Sequence, residues 1–295
     1  GAREAGTAGV FTMLGVADPP WVIILLVTAG NVDTVDAGAD TDTLVLSGVV
    51  PGDHVVVVDL ASLTDQVVSI GVAADTLTQI NFENLNASGI GSAVTVTGSA
   101  GDNSIIGSNG ADTLIGGDGN DTLNGGNGDD LLEGGAGKDT LNGDFGVDTV
   151  SYANSTKGVG IDLQANTASG GDAQGDHLYG IENLIGSAFS DTLVGDGGIN
   201  NLSGGSGNDV LRGLGGSDTL TGGLGTDKFD FDATTDSGLG VNADLILDFV
   251  GGIDKIDLST IDADPSVKKD QAFSGTFLNG LSTSFTAAGQ LRFEY

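Results

Sequence analysis

An all-β fold is what this sequence predicts: a parallel β-roll, or β-solenoid, made of two nonapeptide-repeat blocks and a small β-rich C-terminal cap. Three observations carry the prediction. Eleven nine-residue units follow the form G-G-x-G-x-D-x-(apolar)-x; the sixth place of every unit is an acid or its amide; and an apolar residue stands two places later in all eleven. A period this short and regular marks a stacked repeat, in which no unit can bury its apolar residue alone.

Taken in chain order, residues 1–97 read as a degenerate N-terminal solenoid region. Units at 28–36 and 37–45 place Asp33 and Asp42 nine apart, with Val35 and Leu44 in the inward phase. Residues 21–27 (WVIILLV) are the longest strongly apolar run, too short to span a bilayer and read as a buried strand. Residues 98–151 hold six unbroken units, the first block. Residues 152–185 read as irregular connecting coils, with a loop at 165–175 protruding. Residues 186–230 hold five further units, the second block. From 231 to 295 alternating runs such as ADLILDF (243–249), DKIDLS (254–259) and QLRFEY (290–295) predict a small cap over the last open coil. The chain is also internally duplicated: INFENLNAS (80–88) parallels YGIENLIGS (179–187), and a repeat block follows each.

Each unit divides into a Gly-rich half that can turn sharply and a minimal strand such as Thr-Leu-Ile at 113–115. Turn, strand, turn and strand make a coil of eighteen residues, and coils stack as parallel strands about 4.8 Å apart. The inward ladder is then Ile105, Leu114, Leu123, Leu132, Leu141 and Val150, followed by Leu193, Leu202, Leu211, Leu220 and Phe229. The sixth places are Asn103, Asp112, Asp121, Asp130, Asp139 and Asp148, then Asp191, Asn200, Asp209, Asp218 and Asp227. Carboxylates stacked one coil apart repel without a counter-ion, and a cation between turns, completed by main-chain carbonyls, removes the repulsion. Oxygen ligands on flexible turns suit calcium better than magnesium, while zinc or copper would want His or Cys. Pairing each sixth place with the one eighteen residues on gives 103/121, 112/130, 121/139, 130/148, 191/209, 200/218 and 209/227, hence about seven calcium ions.

Composition narrows the partners. The 295 residues carry 41 Asp and Glu against 9 Lys and Arg, a formal charge of −32, and no Lys or Arg lies between Arg3 and Lys138. Nucleic acid and anionic membrane are repelled by such a chain, so neither nucleic-acid binding nor membrane insertion is expected. Cysteine is absent, so bound metal is the available staple for an extracellular chain. No H-E-x-x-H, G-x-S-x-G or phosphate-loop signature is present, and His54 and His177 stand in no catalytic motif. No enzyme activity is expected of this chain itself.

The units GGDGNDTLN, GGNGDDLLE and GGAGKDTLN resemble the RTX family, the hemolysin-type calcium-binding repeats of secreted Gram-negative proteins. Residues 227–295, with DKFDFDATTDSGLGVNADLILDFVGGIDKIDLSTIDA, AFSGT and AGQLRFEY, are similar to the C-terminal region of serralysin-type secreted proteins. The resemblance implies export by a type I system, unfolded in a low-calcium cytoplasm and folded outside, at the exterior or surface of a Gram-negative cell. The expected function is a calcium-driven folding module of a secreted protein. The alternatives are a surface-layer, adhesin or filament subunit, or the C-terminal part of a secreted hydrolase or alginate-modifying enzyme. Copies of the chain or a cell-surface polysaccharide are the further partners this reading leaves open.

Overall fold

Side chains along each repeat alternate in two-residue steps, and three of them fall inward: the sixth-place acid, the apolar residue and the first Gly of the next unit. In the first block these are triplets such as Asp112, Leu114 and Gly116, all buried. The Asp is therefore a member of the inward row and not a surface residue beside it. None of the eleven sixth-place residues is more than 3 % exposed. The apolar ladder from Ile105 to Phe229 is 0 % exposed throughout. Each buried Leu contributes about 2 kcal/mol, but only once neighbouring coils cover it.

The computed structural model describes residues 83–237, 243–258 and 260, with the strands Thr12–Leu14, Val22–Leu26, Thr34–Asp36, Thr43–Gly48, Val56–Asp59, Val67–Ile70, Ala73–Ala74, Thr78–Ile80, Leu278–Asn279 and Arg292–Phe293. Among the described residues the elements are strands, apart from one 3-10 turn at Gly171–Ala173. None contains a helix long and apolar enough to cross a membrane.

Parallel pairing at a spacing of eighteen builds the walls. Thr113 pairs with Leu131 and Leu131 with Thr149 on one side; Ser104 pairs with Thr122 and Thr122 with Thr140 on the other. Strands such as Thr113–Asp118, Leu131–Ala136 and Thr219–Leu224 have six residues, twice the expected three, because pairing runs on through the Gly pair.

One wall is an eleven-stranded sheet that passes without interruption from the first block to the second. Its junction is the pairing of Thr149–Ser151 with Asn183–Ile185. The facing wall changes at the same place: an eight-stranded sheet ends at His177–Tyr179, and a six-stranded sheet takes over through Gly160–Asp162. Residues between the blocks supply both strands, plus Thr167–Ser169, antiparallel to Gly160–Asp162. The stacking also continues beyond residue 230. Leu245–Ile246 pairs with Thr219–Leu224, and Lys255–Asp257 with Lys228–Asp230. Upstream, Leu44 is buried in the eight-stranded sheet, whereas Thr34–Asp36 pairs with Thr78–Ile80 in a sheet of their own. Val22–Leu26 is a strand; its burial, and the settings of Asp33, Asp42 and His54, lie outside the described residues.

Candidate metal centres

Every spacing-derived pair is a contact in the structure. The main-chain N–H of one sixth-place residue donates to the carboxylate of the sixth-place residue one coil later. Asn103 donates to Asp121 Oδ1 at 2.8 Å, Asp112 to Asp130 at 2.7 Å, Asp121 to Asp139 and Asp130 to Asp148 at 2.8 Å. In the second block Asp191 donates to Asp209 at 2.8 Å, Asn200 to Asp218 at 2.9 Å and Asp209 to Asp227 at 3.0 Å. One carboxylate oxygen per unit thus secures the strand entry of the coil before it.

The second oxygen divides ten of the eleven units, all but that of Asp227, into two kinds. Oδ2 of Asp121, Asp130, Asp139, Asp148, Asp209 and Asp218 is buried and has no hydrogen-bond partner. Asp112 and Asp191 are satisfied within their own turns: Ser108 and Ser187 donate their N–H to Oδ2 at 2.5 and 2.6 Å, and their hydroxyls to Oδ1 at 2.7 and 2.8 Å. Asn103 and Asn200 are satisfied as well. Their Oδ1 accepts the N–H of Ser99 and Asp196, and their Nδ2 donates to the carbonyls of Glu83 and Glu182.

The second residue of the unit decides which kind forms. In the six units with an unpartnered oxygen it has a left-handed backbone: Gly117, Gly126, Gly135 and Gly205, but also Asp144 at φ 71° and Leu214 at φ 68°. Two non-glycine residues hold a conformation that costs of order 1 kcal/mol. In this open turn the second N–H no longer reaches the carboxylate. The first Gly has a different reason to be Gly. A Cβ on Gly125 would collide with Asp130 Oδ2 and lie 2.9 Å from the Gly143 carbonyl. The oxygen and the next coil's carbonyl therefore border the same small space, one that a side chain would fill.

Burial governs the electrostatics. Desolvation pushes the Asp121 carboxyl up to about 7, and Asp130, Asp148 and Asp209 up to about 6, with neighbouring carboxylates adding to the rise. Asp112, Asp139, Asp191, Asp218 and Asp227 are raised for the same first cause. Among the described residues no ion pair joins a Lys or Arg to the row. The described ion pairs join Arg212 and Lys228 to Asp230, Asp232 and Asp257 on the six-stranded wall.

These residues fit a hard cation. A buried carboxylate oxygen without a donor is costly, and a divalent ion satisfies it outright. Among the described residues no three His, Cys, Asp or Glu side chains converge, so such a centre draws much of its shell from main-chain carbonyls. That favours calcium over zinc or copper.

Spacing missed four members of these rows. Asp139 N–H donates to Asp176, Asp148 N–H to Glu182, Asp218 N–H to Asp244 and Asp227 N–H to Asp254, at 2.8 to 3.1 Å. Their separations are 37, 34, 26 and 27 residues. Asp244 Oδ2 is also buried without a partner. A signal was available: each is an acid followed two places later by an apolar residue, as in Asp176-His-Leu178 and Glu182-Asn-Leu184.

Residues 95–123 and 115–150 match the family model of the RTX calcium-binding nonapeptide repeat, and residues 145–285 match that of the peptidase M10 serralysin C terminal. No curated protein matches the chain.

Proposed function

From a chain that carries RTX calcium-binding repeats and a serralysin-type C-terminal region, we propose an extracellular module whose calcium-driven folding stabilises a protein secreted by a type I system. The module is not itself an enzyme. Its metal ligands are Asp112, Asp121, Asp130, Asp139, Asp148, Asp191, Asp209, Asp218 and Asp227, with Asn103 and Asn200 closing the ends of the rows. Calcium occupies the gaps between successive coils, about seven in all.

One observation carries the reading: six buried aspartate oxygens have no donor, and the turns place a main-chain carbonyl beside four of them, those of Asp121, Asp130, Asp148 and Asp209. Without cations those oxygens oppose the fold. With them, binding energy becomes folding energy. Low cytoplasmic calcium then keeps the chain expanded for export, and millimolar calcium outside closes the roll.

Circular dichroism and small-angle scattering with calcium and with a chelator test this. The expected result is an expanded, disordered chain in chelator and a compact, β-rich monomer in calcium. Identical spectra and radii in the two conditions would refute it. Ordered assemblies in calcium would favour the surface-layer, adhesin or filament reading.

A further inference from the structure

The carboxylate row facing the eleven-stranded wall does not end with the first block. Asp148 closes the last unit of that block, and the next coil returns 34 residues later with Glu182, whose Oε2 accepts the Asp148 N–H at 2.8 Å. Two strand pairings impose the juxtaposition. Asn142 opposite Tyr179 sets Gly180 over Gly143, and Val150 opposite Leu184 sets Glu182 over Asp148.

The features that mark a cation gap inside the repeats recur here. Asp148 is 0 % exposed and its Oδ2 has no partner. Its turn is open, with Asp144 at φ 71°. A Cβ on Gly143 would collide with both Asp148 Oδ2 and the Gly180 carbonyl. Within the block, a Cβ on Gly116 would collide with Asp121 Oδ2 and meet the Gly134 carbonyl at 2.5 Å. The irregular coil reaches this arrangement by a shorter path, Gly180 to Glu182 against Gly143 to Asp148. A Glu, one methylene longer than Asp, spans the difference.

We propose that Asp148 Oδ2, the Gly180 carbonyl and the Glu182 carboxylate hold a further divalent cation of the calcium type, outside the nonapeptide units, and that it fastens the two repeat blocks together. This rests on the calcium reading of the repeats and extends it to a residue that no repeat contains. Glu182 is placed for the task, since its own carbonyl accepts Asn200 Nδ2 of the second block at 2.8 Å. An ion at this gap ties Asp148 of one block to the coil on which the other is laid.

The test is an ion count by native mass spectrometry on the full chain in saturating calcium, paired with the calcium midpoint of folding. Glu182→Gln keeps an oxygen for the Asp148 N–H but removes the charge. It should lose one ion per chain and need several-fold more calcium to fold. Glu133→Gln, a half-buried acid bonded to Asn154, is the charge control and should match wild type. An unchanged count and midpoint in Glu182→Gln overturns the site. Should that variant fail to fold, Glu182→Asp decides: a full ion count with a raised midpoint supports the site, wild-type behaviour overturns it, and loss of folding there too assigns Glu182 a structural role and overturns it. Wild type binding no calcium at all would instead sink the reading of the repeats.

Discussion

Asp130→Asn tests the central physical claim, that a buried carboxylate is maintained against its own cost because a cation uses it. Asp130 is 2 % exposed, its Oδ1 accepts the Asp112 N–H at 2.7 Å, and its Oδ2 has no partner. Burial pushes the carboxyl up to about 6. Relative to an unfolded value of 3.8, that amounts to about 3 kcal/mol opposing the ionised, metal-free fold at pH 7.5. An amide removes this term. Its oxygen keeps the Asp112 contact, and its nitrogen stands beside the Gly143 carbonyl, as Asn200 Nδ2 stands beside that of Glu182.

In calcium the effect reverses, because Asp130 belongs to two gaps, with Asp112 and with Asp148. A charge-assisted contact is worth about 1.5–3 kcal/mol, so affinity at each gap falls by roughly tenfold to a hundredfold. Circular dichroism in chelator should therefore show more β-structure than wild type. Calorimetric titration should show weaker binding and up to two fewer ions. If the variant has wild-type stoichiometry and midpoint and no gain of order in chelator, the carboxylate is neither a cost nor a ligand.

Acidity should act in the same sense. The raised Asp121, Asp130, Asp148 and Asp209 hold protons more tightly in the fold than in the unfolded chain. Metal-free stability is thus greatest near pH 4 and is lost as pH rises through about 6 to 7. Circular dichroism in chelator should gain β-signal from pH 7.5 to 5, while the calcium midpoint rises over the same window as protons compete; a flat profile would contradict the burial argument. Gly125→Ala forces a Cβ onto Asp130 Oδ2 and should destabilise the calcium form by about 1–3 kcal/mol in urea titrations. Gly91→Ala, with nothing within 4 Å, should be within about 0.5 kcal/mol of wild type. Leu132→Ala, 0 % exposed in the ladder, should cost about 2–5 kcal/mol, read as a lower thermal midpoint in calcium.

The inward ladder and the eighteen-residue pairing were legible because both follow from the two-residue side-chain period and the repeat length, which the sequence displays directly. The positions of Asp176, Glu182, Asp244 and Asp254 were not, since intervening loops break the count while parallel pairing restores the register. What persists there is local: an acid, any residue, an apolar residue. The open and closed turns were only half legible. Ser at 99, 108 and 187 accompanies closed turns and Gly-Gly accompanies open ones, yet Asp144 and Leu214 adopt the left-handed form and Asp196 does not. Side-chain identity alone cannot separate Asp144 from Asp196, because the neighbouring coil selects the conformation.

That selection has a pattern. The closed turns belong to Asn103, Asp112, Asp191 and Asn200, the first two units of each block. They follow coils without a repeat turn, at 83–97 and 152–185. In these four units the turn satisfies the side chain, although the next coil's carbonyl lies beside it just as it does beside Asp121, Asp130, Asp148 and Asp209. A serine hydroxyl and N–H do this for Asp112 and Asp191, and replacing one oxygen by an amide nitrogen does it for Asn103 and Asn200. Asn103 and Asn200, which depart from the repeat's acid, thus complete their own turns at a block's leading edge. The left-handed Asp144 and Leu214 are their counterparts inside the blocks, where the backbone accepts strain to keep an oxygen open toward the next coil.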